Sequence, residues 1–107
     1  MARAYKNAKV DLTSTDVTTL YTCPSITVAI VTSILVSEDS GNADTITVTL
    51  TNAATAIFSL YKVKAVSANT TVELLTRPLV VQESEILKVK AATADRLHVV
   101  ASLLELS

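Results

Sequence analysis

The sequence predicts an all-β fold, a sandwich or a barrel of about seven or eight short antiparallel strands. Three observations carry that expectation. Apolar and polar residues alternate with period two along most of the chain. Val, Ile, Leu, Ala and Thr together make up most of the chain, while aromatic residues are only 4% of the total, and the stiff β-branched Val, Ile and Thr among them suit a pleated surface. Clusters of turn-forming residues recur about every ten positions. The 107 residues suffice for one domain with a real core, and no repeat, linker or low-complexity tract suggests a second.

Taken in order, residues 1–11 read as an N-terminal arm or polar lead, and residues 12–107 as the β domain. Short edge strands are expected around Val10–Leu12 and Val17–Thr22. "SITVAIVTSILV" (25–36) is the most apolar run. As one unbroken strand it sets Ile26, Val28, Ile30, Ile34 and Val36 on one face, with Thr32 as the exception. "TITVTL" (45–50) alternates most cleanly, with Ile46, Val48 and Leu50 opposite three threonines. "AIFSLYKVKAV" (56–66) sets Ile57, Ser59, Tyr61, Val63 and Ala65 against Phe58, Leu60, Lys62 and Lys64. "TTVELL" (70–75), "EILKVKA" (85–91) and "RLHVVASLLEL" (96–106) complete the strands. The last puts Leu97, Val99, Ala101 and Leu103 together. "SEDSGNAD" (37–44) contains Gly41, the one glycine, and is expected to be a hairpin loop; "SANTT", "RPLVVQESE" and "ATAD" are read as later turns.

The apolar run 25–36 is too short for a membrane-spanning helix, which needs about 20 apolar residues, and Ser25, Thr27, Thr32 and Ser33 interrupt it. The start "MARAYKNAKVDLTSTD" has basic residues but no apolar segment behind them, so no export signal is expected. The net charge of −1 gives no reason to expect nucleic acid. Only 18% of residues are charged, against roughly 25% in an average soluble domain. Half are hydrophobic, so part of the surface is expected to be covered by partners.

Residues with chemical potential are few. His98 lies within the final strand and has no nucleophile at motif spacing. Cys23 is single, and "TCPS" offers no zinc spacing; a small buried thiol is expected. Glu38, Asp39 and Asp44 surround Gly41, but Val36 stands where a calcium loop begins with aspartate, so a solvated turn is expected. Asn69-Thr70-Thr71 matches a glycosylation sequon by chance, and Glu83 and Glu85 read as turn polarity. Neither an enzyme nor a cofactor is expected.

The opening "YKNAKVDLTSTDVTTLYTCPSITVAIVTSILVSEDSGNADTITVTL" (5–50) resembles small virion structural proteins of tailed bacteriophages, especially marine ones. These combine a polar lead, a "VYT.P" step and an "AIV" strand that enters a polar hairpin. Here the corresponding stretches are "TLYTCPS" (19–25) and "VAIVTSILVSEDSGNA" (28–43). "LLTRPLVVQESEILKVKAATADRLHVVASLLEL" (74–106) is similar to the family's second block, except that "QESE" replaces a glycine-containing turn.

The resemblance implies a β-sandwich, jelly-roll-like, made in the host cytoplasm and located on the virion. It implies a capsid decoration or cement protein that binds the assembled shell. The alternative is a tail, neck or fibre component binding protein or glycan. Expected partners are the major capsid protein or other virion proteins and the chain itself, as a homo-oligomer such as a trimer. Arg3, Tyr5, Lys6 and Lys9 of the lead are the expected partner-binding residues.

Overall fold

The computed structural model describes residues 2–107, and these form nine strands in two antiparallel sheets. The strands are β1 (Arg3–Asp11), β2 (Thr18–Thr22), β3 (Val28–Glu38), β4 (Asp44–Thr51), β5 (Ile57–Val66), β6 (Thr71–Glu73), β7 (Leu79–Val81), β8 (Ile86–Ala91) and β9 (Leu97–Leu106). One sheet runs β1-β9-β3, with β6 and β7 both pairing with the far side of β3; the other runs β2-β8-β4-β5. β6 and β7 contact different parts of β3, so together they act as one interrupted strand. The chain is then a long hairpin rolled up on itself. β1 pairs β9, β2 pairs β8, β3 pairs β6 and β7, and β4 pairs β5. That order is a jelly roll.

The core lies between the sheets and is built by alternation. Leu97, Val99, Ala101 and Leu103 of β9 are buried, as are Leu87, Val89 and Ala91 of β8 and Ile46 and Val48 of β4. These are the faces that the sequence pattern assigns. β3 departs from its pattern. Its register against β9 shifts between Val31 and Ser33, and the extra residue reverses the alternation. Ala29 and Val31 therefore point inward before the bulge and Ile34 and Val36 after it, while Ile30 is turned outward. The edge strand β5 carries two such shifts, and its expected faces dissolve. Ile57, Phe58 and Val63 are exposed, and Val63 takes φ 52° with its N–H donating to Thr47 Oγ1 at 3.1 Å.

The lead is not a free arm. Arg3–Asp11 forms β1, a strand of the sandwich in unbroken register with β9. Met1 lies outside the described residues. Its composition misleads because β1 is an edge strand and only Ala8 and Val10 are partly buried. "RPLVVQESE" likewise contains β7 rather than only a turn.

Polar side chains tie the layers together. Tyr21 on β2 donates its hydroxyl to Glu105 on β9 at 2.5 Å, and Tyr61 on β5 donates to the Leu74 carbonyl at 2.5 Å. Where the strand pairing lapses between β6 and β7, the Glu73 carboxylate accepts the Ile34 N–H at 2.8 Å and the Leu75 N–H at 3.1 Å. Burial opposes the charge on Glu73, but donation from Ser33 and Ile34 outweighs it and lowers its pKa.

Candidate interaction surface

The residues singled out from sequence fall into separate environments. Cys23 is buried, as expected, and its thiol faces the Thr27 carbonyl at 3.4 Å; burial raises its pKa. Glu38 and Asp44 are not in a solvated turn. Glu38 is 2% exposed and accepts the N–H groups of Ser40, Gly41, Asn42 and Asn69 at 2.8–3.1 Å, together with the Ser40 hydroxyl. Burial penalises its charge, yet these donors prevail and hold its pKa at about 2. One carboxylate thus fastens the β3–β4 loop to the β5–β6 turn. Asp44 is also buried and accepts the Thr93 N–H at 3.1 Å. Gly41 sits at φ +85°, a backbone that side-chain-bearing residues rarely adopt.

His98 stands on the outside of β9 between two carboxylates, with Nε2 3.2 Å from Asp11 and Nδ1 3.6 Å from Asp39. All three side chains are substantially exposed. Among the described residues there is no cluster of His, Cys, Asp and Glu able to hold a metal ion. Among the described residues no helix is long and apolar enough to cross a membrane.

The four expected partner-binding residues share β1 but not one environment. Lys6 turns toward the layer interface and pairs with Glu105 at 2.9 Å. The Tyr21 hydrogen bond and then Lys6 lower the pKa of Glu105 against the cost of burial. Burial, and then the bond to Glu105, push the Tyr21 hydroxyl up. Lys6 therefore belongs to a structural network. Arg3, Tyr5 and Lys9 are exposed on the outer side of the sheet, and the Lys9 ammonium donates to Asn7 Oδ1 at 3.2 Å.

Sheet register assembles that outer side into cross-strand rows. Tyr5 lies opposite Leu104, Leu104 opposite Ile30, and Ile30 opposite Val80, so one apolar row crosses β1, β9, β3 and β7. Tyr5 is 83% exposed and Val80 52%. A second row runs Lys9, Val100, Leu35 and Glu73. Between them Tyr5, Asn7, Ile30, Thr32 and Ser102 help line a shallow open cleft of about 540 Å³. Sequence reasoning missed Leu104, Ile30 and Val80 as surface residues. The bulge hid Ile30, and Leu104 sits in a run where either face is apolar.

The other sheet presents a different outer side. Lys88 and Lys90 alternate with the buried Leu87, Val89 and Ala91, and lie opposite Thr49 and Thr47 of β4. The second sheet thus carries Thr and Lys on β4 and β8, and its edge strand β5 adds the exposed Ile57, Phe58 and Val63.

No family model matches the chain, and no curated protein matches it. Among solved structures it is similar to one of infectious bursal disease virus, Gt strain, with a TM-score of 0.43 and 9% identity over 98% of this chain. The chain spans 30% of the length of that one.

Proposed function

We propose that this chain is a virion structural protein, a capsid decoration or cement protein that binds the assembled shell through non-covalent contacts and carries out no catalysis. The observation that carries this reading is the apolar row Tyr5-Leu104-Ile30-Val80 on one outer face of a jelly roll, exposed at Tyr5 and Val80 and half-buried between them. A contiguous apolar surface rimmed by polar residues marks an interaction site. The phage-protein resemblance of the sequence supplies the partner, the major capsid protein. Binding only the assembled lattice stabilises it by mass action, and many copies with modest contacts suffice. Low charge supports self-association on the same particle.

A second reading, a tail, neck or fibre module that binds protein or glycan, is favoured by one feature. Tyr5 stands beside Asn7, Thr32 and Ser102 in the cleft, an aromatic ring next to polar donors.

Copy number in purified particles of the encoding phage, measured by quantitative mass spectrometry, separates the two. A simple ratio to the major capsid protein supports decoration; a few copies per particle moves the chain to the neck or tail. Absence from particles refutes both. In co-sedimentation with assembled shells, Val80→Asp is expected to weaken binding at least about tenfold without altering thermal unfolding, since Val80 is half exposed.

A further inference from the structure

The edges of this sandwich are unequal. Free strand edges are normally blunted by short length, bulges or proline, because unpaired backbone groups invite another strand. β2 has five residues and a register shift, β5 has two shifts, and β6 and β7 have three residues each. β1 has no bulge, proline or short length: nine residues run in unbroken register against β9, and the charges it carries, Arg3, Lys6, Lys9 and Asp11, are of both signs and so can pair with a second strand rather than only repel it.

Its outward groups can be assigned. Ala2 and Ser107 exchange both backbone hydrogen bonds, and the Leu12 N–H donates to the Leu97 carbonyl at 3.0 Å. Antiparallel ladders alternate, so the even-numbered residues of β1 bond to β9. Arg3, Tyr5, Asn7, Lys9 and Asp11 therefore turn their N–H and C=O groups away from the sheet. Among the described residues no backbone carbonyl accepts those N–H groups. The Asp11 carbonyl accepts the Thr13 N–H at 3.0 Å and retains a second lone pair.

We propose that β1 pairs with β1 of a second copy of this chain, antiparallel, about a two-fold axis through Asn7. The side chains select this register. Centred on Asn7, Arg3 faces Asp11 of the second copy, Tyr5 faces Lys9, and the two Asn7 amides face each other. Sliding one step toward the N-terminus sets Arg3 against Lys9 twice, and like charges directly opposite are destabilising. Sliding the other way sets Arg3 opposite Thr13, past the end of β1, with no carboxylate facing it. On the inner side of the chosen register, Lys6 faces the small Ala8, so its ion pair with Glu105 persists. Tyr5, now 83% exposed, gains a lysine across the joint. Five facing positions exchange about ten backbone hydrogen bonds. The two sheets become one, and the apolar row of each copy continues across the joint into the row of Lys9, Val100 and Leu35 of the other.

This inference does not depend on the virion reading. Light scattering over a concentration series is expected to show a species of twice the 11.3 kDa chain mass. Asn7→Pro removes an outward N–H without touching the β1–β9 ladder, and is expected to weaken the dimer about tenfold with thermal unfolding unchanged. Arg3→Asp or Asp11→Arg alone weakens it several-fold, and the double exchange restores it. Independently, Asn7→Cys is expected to cross-link two copies on mild oxidation, because facing residues in such a pair lie within disulfide reach. A chain that stays monomeric, forms a three-fold species, or dimerises indifferently to these changes overturns the proposal.

Discussion

Replacing Tyr21 with Phe tests whether the buried charge of Glu105 helps to join the two layers. The hydroxyl donates to Glu105 at 2.5 Å from the opposite sheet, and Glu105 is 8% exposed. Hydrogen bonds to charged groups contribute about 1.5–3 kcal/mol. Lys6 remains beside the carboxylate at 2.9 Å after the change, so the lower figure applies. A loss of about 1.5 kcal/mol lowers the melting temperature by about 6 °C in a domain of this size. The pH dependence sharpens the test. Tyr21, and then Lys6, hold the Glu105 pKa below its ordinary 4.5. A lowered folded-state pKa means stability that is present above 4.5 and lost as pH falls through the folded value. Tyr21→Phe removes the largest cause of that lowering, so the variant has less to lose in acid. Thermal unfolding followed by circular dichroism at about pH 7 and about pH 3 should show the gap between the two proteins narrowing in acid. An equal gap at both values, or no gap near neutrality, would refute a role for the charge.

Glu38→Gln should loosen two loops at once, because one carboxylate accepts N–H groups from Ser40, Gly41, Asn42 and Asn69. Hydrogen exchange is expected to speed up at those amides and not in β8 or β9. In the natural protein the same amides should stay protected above 4.5 and lose protection as pH falls toward about 2, where Glu38 is held. Leu87→Ala opens a cavity at a fully buried position between the sheets. The expected cost is about 3 kcal/mol, read as a lower urea midpoint with an unchanged slope.

The local pattern was enough for the fold class. β8 and β9 bury the residues that their alternation assigns, and β4 does so at Ile46 and Val48, with Leu50 only partly buried, since a strand with one covered face writes a period of two into the sequence whatever its partner is. The single cysteine was likewise legible as a small buried thiol. The rest needed the assembled sandwich. β1 looks like a polar lead because only one of its sides contacts a neighbour, and that neighbour, β9, lies at the other end of the chain. The bulge after Val31 reverses the faces of β3, and no residue type announces it; it arises from how β3 meets β9. Tyr21 and Glu105 stand 84 positions apart, and Glu38 collects donors from two loops. The candidate surface is a row contributed by four strands, three of them invisible as surface from their own sequence. Period and propensity are short-range properties, so the sequence by itself determined the strands that cover one face with apolar residues, and not β1 or β7. Pairing, bulges and edges depend on which distant segments meet. Tertiary structure alone therefore decided which sides of those strands remain open to a partner.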